Sequence, residues 1–480
     1  MPESAAESTK LARVPVEVWR VCGVVVIGAF MSNLDTSLVN VGLDTIGRDL
    51  HAPLSTAQWV TNGYLLALAG ALPVCGWLSR RYGAGRVWLW SLVAFTIASA
   101  LCAAAPSIGM LIALRVMQGI CGGLLTPAGQ TIMGQAAGPQ RMGRVMNAIG
   151  PAVVLAPAIG PALGGVLIAQ LSWQWLFLIN VPIGLIALLL GVRLVPLGAG
   201  GTAGPFDTIG FVLIGGGLPL VSYGITEATG PDGKNLATFL ALVAGAAAIA
   251  AFVIHSLRTR SPLMDLRLFG NRVYTSAQVS VFFTGAALFG GMILFPLYFE
   301  VARGQTVLTT GLLMISYGVG AAAAMTIGGR LTDRLGGGIV SIIGLTLTTA
   351  TTIPFVVLDQ NAGMALIQVL LLARGIGLGL SGLPAMSAAY ATVPKARLPD
   401  ATSQANILRR VGGELGGALF VVILDAHTPT TIEDFHTTFQ WLSGASAVAL
   451  LLAIWLAAET RHDYIHPDCH QPTGRAATEP

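Results

Sequence analysis

The sequence predicts an all-α polytopic membrane protein with fourteen transmembrane helices, two six-helix bundles plus two inserted helices. Three observations carry this. The 480-residue chain is 54% hydrophobic and only 10% charged, against about 25% charged in a soluble domain. Apolar runs long enough to cross a ~30 Å hydrocarbon core recur along its length. Its cations crowd into alternate loops, as the positive-inside rule asks of a chain that crosses a membrane many times.

The runs come in order. Span 19–41 follows Lys10, Arg13 and Arg20, and no small-residue cleavage site precedes the next polar stretch, so it reads as uncleaved. Spans 57–79 and 86–105 flank Arg80, Arg81 and Arg86; spans 108–129 and 143–168 flank Arg141 and Arg144. Spans 175–195, 207–225 and 236–257 follow, and Arg258, Arg260, Arg267 and Arg272 lead into 273–299. Spans 307–330 and 337–357 flank Arg330 and Arg334; spans 362–388 and 400–424 flank Lys395 and Arg397; span 435–458 completes the set. The segments are too long and too uniformly apolar for barrel strands. With both termini cytoplasmic, nineteen of the 26 Lys and Arg lie on the cytoplasmic side, and only Arg48, Lys234 and Arg303 lie outside.

The chain repeats itself. Gly76-Trp-Leu-Ser-Arg80-Arg81-Tyr-Gly83 returns as Gly329-Arg-Leu-Thr-Asp333-Arg334-Leu-Gly336, 253 residues later. Gly160-Pro161-Ala-Leu-Gly164-Gly165 returns as Gly412-Gly-Glu414-Leu-Gly-Gly417, at an offset of 252. Spans 1–6 and 9–14 are therefore copies, with spans 7 and 8 between them. This divides the chain into bundles at 1–195 and 261–458, a linker with two inserted helices at 196–260, and a tail at 459–480. Parallel repeats about an axis along the membrane normal are the arrangement of major facilitator transporters, whose substrate site lies between the halves.

Several motifs carry a closer resemblance, along nearly the whole chain. They are Leu34-Asp35-Thr36-Ser37-Leu38-Val39-Asn40-Val41; Gln58-Trp59 with Tyr64-Leu65; Gly76 to Arg86; Arg115-Val-Met-Gln118-Gly119; Gly160-Pro161 with Gly164-Gly165; Trp175 to Gly184; and Pro262 to Phe269. Together they resemble the fourteen-span drug:proton antiporters of the major facilitator superfamily. The resemblance implies a multi-pass protein of the cell membrane, with both ends cytoplasmic, that exports amphipathic drugs or toxic organic compounds against protons. It implies an exporter motif in Gly160, Pro161, Gly164 and Gly165, and cytoplasmic gate loops at Gly76, Arg80, Arg81, Gly83, Gly329, Asp333, Arg334 and Gly336. The chain departs from the pattern twice, with Arg80 where the family has an acid and Ala156 where it has glycine.

Charges at membrane depth point to the working residues, since each costs ~2.5–3.5 kcal/mol on insertion scales. Arg115, Arg374, Arg409, Arg410, Asp35 and Glu414 all lie inside apolar runs. Asp35 reads as a proton site, a counter-charge for a cation, or a structural partner of Arg115. Burial raises a carboxylate's pKa and a neighbouring Arg lowers it, so the two can balance near the working range. Arg115 keeps its proton and so tunes or clamps. Glu414 has Ala162 as its repeat counterpart; it reads as a second proton or substrate site, or as an i,i+4 ion pair with Arg410. Polar and aromatic residues placed to line a cavity are Asn40, Gln58, Asn62, Tyr64, Gln118, Asn147, Gln278, Phe283, Tyr298, Tyr317, Gln404 and Asn406.

Other classes are disfavoured. The net charge of +4 is dispersed between spans and gives no nucleic-acid surface. Five cysteines, mostly at membrane depth, make no disulfide framework. No nucleotide-binding glycine loop is present, and the tail from His462 to His470 meets no zinc spacing. The expectation is a transporter and not an enzyme, with no cofactor beyond the proton as coupling ion, and with a small molecule and the lipid bilayer as partners. Accessory export proteins are not legible. The alternatives are a transporter of one specific metabolite, such as a self-made antibiotic, and a non-transporting membrane sensor.

Overall fold

The computed structural model describes residues 14–138, 141–147, 150–228, 235–358, 362–424 and 432–465. The His-rich tail beyond 465 and the side chain of Asp333 lie outside the described residues. The first half comprises α1 Val16–Asp49, α2 Trp59–Ala71, α3 Val74–Tyr82, α4 Ala84–Ala103, α5 Ile108–Ala137, α6 Gly150–Gln170 and α7 Asn180–Leu194. Two further helices follow, α8 Thr208–Ala228 and α9 Leu236–Arg258. The second half comprises α10 Arg272–Leu297, α11 Val307–Leu335, α12 Gly337–Thr352, α13 Met364–Gly379, α14 Gly382–Ala391, α15 Leu398–Leu424 and α16 Ile432–Ile465.

Helix falls on every predicted run, while length and apolar composition alone do not confirm fourteen crossings. Among the described residues, eleven helices are long and apolar enough to cross a membrane, or twelve if the pair bent by 55° before Val74 is one span. Pro73 sits at that bend, where a missing N–H weakens the ladder. α15 falls short because it carries Asp400, Arg409, Arg410 and Glu414.

Local chemistry explains the helix ends. Ser107, Asn235, Asn271 and Thr306 cap α5, α9, α10 and α11, each side chain accepting from the backbone N–H three residues on. Gly83 and Gly336 hold the turns after α3 and α11 at φ of 94° and 85°, a region closed to most residues with a Cβ.

The two halves pack alike. In the first, α2 and α4 pack on α5, α1 packs on α6, and α7 packs on α1 and α4. In the second, α11 and α12 pack on α13, α10 packs on α15, and α16 packs on α10 and α12. The same shoulders recur in detail: Gly119 lies against the carbonyl of Tyr64, and Gly375 against that of Tyr317. α8 and α9 pack on each other, and α8 also touches α2 and α15.

The apolar core is distributed unequally along the bundle. Towards the Gly83 and Gly336 turns, one cluster joins both halves, with Val25, Trp88 and Met133 alongside Tyr274, Tyr390 and Leu398. At the other end each half keeps a core of its own, one around Leu38 and Phe177 and one around Phe295 and Phe439. Among the described residues, burial therefore locks the halves together at this end.

Candidate functional site

Asp35 and Arg115 form an ion pair inside the first half. The Arg115 Nη1 to Asp35 Oδ2 distance is 2.6 Å, and both side chains are 0% exposed. α1, α4, α5 and α7 all contribute. The other carboxylate oxygen accepts from Gln118 at 3.0 Å and from Asn180 at 2.8 Å. The hydroxyl of Ser99 accepts from the same two amides at 3.1 and 3.0 Å, and donates to the Phe177 carbonyl at 3.1 Å. Arg115 Nε donates to the Val60 carbonyl at 3.1 Å, and its guanidinium lies 4.1 Å over the Tyr64 ring, a cation–π contact. Arg115 Nη2 is buried with no hydrogen-bond partner among the described residues. The arrangement supplies every contact an ionised carboxylate needs, since a buried charge is tolerated only when paired and hydrogen-bonded.

The second half carries a buried cation of its own, at the repeat position of Gln118 and not of Arg115, and has no acid at the position of Asp35. Arg374 directly precedes Gly375 just as Gln118 precedes Gly119, and Ala287 stands 252 residues after Asp35. Arg374 is 0% exposed and donates to Thr352 Oγ1 and, at 3.2 Å, to the Ala287 carbonyl. Its guanidinium lies 4.9 Å from the Phe295 ring centre. Among the described residues, the acid at this level is therefore in the first half alone.

Glu414 lies in a second cluster, on α15 where it meets α8. It pairs with Arg410 at 2.8 Å, and Ser222 of α8 donates to its other oxygen at 2.5 Å. Arg410 also donates to the Leu65 carbonyl of α2 at 2.9 Å. On the facing side Trp59 stacks on Tyr223, with centroids 6.1 Å apart. α8 thus bridges both halves. The sequence offered ion pair and site as alternatives for Glu414; the pair is present, and the carboxylate stays partly exposed.

The locked end is closed by polar contacts across the halves. Arg80 pairs with Asp400, Asn406 donates to Gln130 at 2.6 Å, and Thr131 and Thr402 share a 2.8 Å hydrogen bond. A Cβ on Gly76 would lie 2.6 Å from the Asp400 carboxylate, and one on Gly329 would lie 2.8 Å from Arg144 Cα. The two copies of the loop motif therefore each admit the opposite half.

A family model described as Major Facilitator Superfamily matches residues 25–417 and 279–464. The chain belongs to the major facilitator superfamily. It is 36% identical over 418 residues to the "Multidrug resistance protein B homolog" of Mycobacterium tuberculosis, covering 86% of this chain and 77% of that protein. It is 27% identical to the "Tetracenomycin C resistance and export protein" of Streptomyces glaucescens, covering 87% of this chain and 78% of that one. The fold matches the human organic anion transporter MFSD10 with a TM-score of 0.63 at 16% identity, over 92% of this chain and 100% of that one. It matches the proton:xylose symporter XylE equally, with a TM-score of 0.63 at 14% identity, over 92% and 95%. The protein is a multi-pass membrane transporter of the drug-efflux type within the superfamily.

Within this facilitator fold the predicted residues separate into groups. Asp35, Arg115, Gln118 and Tyr64 come together as described. Asn147, Gln404 and Asn406 lie at or near the locked seam; Gln404 accepts from Tyr274 at 2.5 Å and donates to the Asp265 carbonyl at 2.9 Å. Asn40 and Gln58 are exposed and Asn62 is half-buried; Asn40 accepts from Thr61 at 3.0 Å. Tyr298 packs among Phe299, Phe355, Phe435 and Phe439, and Phe283 packs beside Leu345 and Ala449. Tyr298 is buried in the core of the second half, while Phe283 is half-buried. Gln278 and Tyr317 are buried there too. Arg81 and Arg334 are exposed. In the exporter motif, a Cβ on Gly160 would lie 2.5 Å from Ser37 Cβ, while Gly165 faces open space and Pro161 is exposed. Ser99, Ser222 and Asp400 were not singled out from the sequence, and neither were Gln130 and Thr131.

Proposed function

We propose that this transporter is a proton-coupled antiporter that exports amphipathic drugs or toxic organic compounds across the cytoplasmic membrane. The observation that supports it most is the fully buried Asp35 carboxylate, the acid of a cluster whose repeat counterpart has none. While ionised, Asp35 is held by Arg115, Gln118 and Asn180. Protonation removes its charge, and Arg115, which keeps its own proton, is left as an uncompensated buried cation. Breaking such a pair costs ~3–5 kcal/mol, enough to drive α1 and α5 into a new packing. Asp35 is enclosed within one bundle, so proton and substrate communicate through that movement and not across one shared surface.

The energetics suffice. One pH unit supplies ~1.4 kcal/mol per proton, and each net charge moved inward adds ~2.3 kcal/mol per 100 mV. With the cation-rich loops inside, the locked end faces the cytoplasm and both termini are cytoplasmic. Single cysteines at Leu335, the last residue of α11, and at Val357, beyond the far end of α12, then label from the cytoplasmic and the outer side respectively. The reverse assignment contradicts this orientation.

Transport of one specific metabolite is the second reading, supported by relatives such as the "Probable actinorhodin transporter" of Streptomyces coelicolor, 30% identical over 472 residues. An efflux assay over a panel of unrelated dyes and antibiotics, with and without a protonophore, decides. Broad, mutually competing, protonophore-sensitive efflux supports drug antiport. Efflux of a single compound supports the second reading, and protonophore-insensitive efflux contradicts coupling.

A further inference from the structure

Where α3, α15 and the linkers flanking α8 and α9 converge, a polar cleft of about 130 Å³ opens at the locked end. A water needs ~10–15 Å³ measured this way, so the cleft has room for roughly ten, or for a small headgroup. Its lining holds four arginines, Arg80, Arg260, Arg267 and Arg397, against two acids, Asp265 and Asp400. Arg397 pairs with Asp265, and Arg80 with Asp400. Arg397 also acts on Arg80 as a repelling like charge. Arg260 and Arg267 have no carboxylate partner among the described residues, so the cleft keeps two surplus positive charges. Planar guanidinium forks suit phosphate oxygens. A second, apolar groove of about 460 Å³ shares Pro205, Arg260 and Ser261 with the cleft. It runs past Phe206, Asp207 and Ile209; the Asp207 carboxylate is taken up by the Gly210 and Leu263 N–H groups and by His255, and Ile209 and Val212 of α8 are 62% and 64% exposed.

We propose that this paired cleft and groove bind an anionic membrane lipid, its phosphodiester held between Arg260 and Arg267 and its acyl chains along the exposed face of α8. The apolar groove is what favours a lipid over free phosphate, because only an amphipathic ligand fills both. The site touches both halves and both linkers, so a lipid there stabilises the locked arrangement. The proposal stands on the binding geometry and does not depend on which substrate is exported.

The test uses the purified full chain in detergent, titrated with phosphatidylglycerol, with phosphatidylcholine, and separately with inorganic phosphate. Bound lipid is counted by native mass spectrometry and thermal stability is followed. One phosphatidylglycerol should be retained about tenfold or more in preference to phosphatidylcholine, as two charge-assisted bonds would give. The preference should be lost in the Arg260→Gln/Arg267→Gln protein and partly kept in Arg260→Lys/Arg267→Lys, which retains the charge without the fork and guards against a folding defect. Equal retention of the two lipids by the unsubstituted protein overturns the proposal without any variant. Stabilisation by inorganic phosphate that needs the same arginines, with no added effect of lipid, overturns the lipid assignment.

Discussion

Arg80 of the first half and Asp400 of the second form an ion pair across the locked end of the bundle, with Asp400 1% exposed and Arg80 12%. Arg80 stands where the family's loop motif has an acid, so in this chain the cross-half contact is made with the cation on the loop. The pair must part whenever this end opens. Single changes, Arg80→Asp or Asp400→Arg, leave two like charges facing each other and should lower transport more than about tenfold, given the ~3–5 kcal/mol cost of an unpaired buried charge. The double exchange should recover most of it. A double exchange no better than the single ones removes the pair from the account. Transport rates in proteoliposomes measure this.

The second half depends on the fit around Arg374. A Cβ on Gly291 would lie 2.8 Å from Arg374 Nη2, and this guanidinium is held by Thr352 and the Ala287 carbonyl. Gly291→Ala should therefore lower stability by ~1–3 kcal/mol, the usual cost of overpacking. Gly165→Ala, which meets nothing within 4 Å, should be close to neutral. Thermal unfolding of the two variants side by side gives the answer, and equal stability contradicts the packing described.

Glu414 should act on charge and not on folding. Its carboxylate is partly exposed and held by Arg410 and Ser222. Glu414→Gln keeps the shape and removes the charge. Export of cationic dyes should fall about tenfold, as the loss of one favourable charge contact predicts, while neutral compounds persist. Equal loss of both classes assigns Glu414 to structure or to obligatory coupling.

Asp207 anchors the inserted helices in a pH-dependent way. It lies before α8 and accepts from Gly210 N–H at 2.8 Å, Leu263 N–H at 3.1 Å and His255 at 2.8 Å. Burial pushes its pKa up, but these contacts outweigh burial and hold it below the ordinary 3.8. A lowered folded pKa stabilises the fold above the unfolded value, and this contribution is lost as pH falls through the folded one. Asp207→Asn should thus cost on the order of 2 kcal/mol at neutral pH. The gap from the unsubstituted protein should close below about pH 3.8. A gap that is constant with pH contradicts an ionised Asp207.

Much of this architecture is legible in the sequence because membrane insertion makes charge conspicuous. Asp35, Arg115 and Glu414 stand out against Leu, Ala and Gly, and the structure gives each a charged partner. Ser99 and Asn180 do not stand out, since small polar side chains in helices commonly bond their own backbone, as Thr36 and Thr96 do to Ser32 and Leu92. Asp400 reads as the boundary of a span, and nothing local connects it to a partner 320 residues away. Tyr298 sits near the end of a span like a belt or cavity aromatic, yet its neighbours Phe435 and Phe439 come from a helix that periodicity alone cannot place beside it. Composition alone does not mark α15 as a crossing for the same reason that charges are informative, because it carries four of them.

In the proposed antiport, Asp35 carries the coupling proton. Asp35→Asn keeps the size of the side chain and fixes it neutral, so Arg115 faces a permanently protonated-like partner. In proteoliposomes with an imposed inward proton gradient, the account predicts that this variant no longer concentrates substrate against its gradient, while downhill exchange of substrate continues. If Asp35→Asn still drives uphill, protonophore-sensitive efflux at the rate of the unsubstituted protein, the coupling site lies elsewhere and the Asp35–Arg115 pair is a structural clamp.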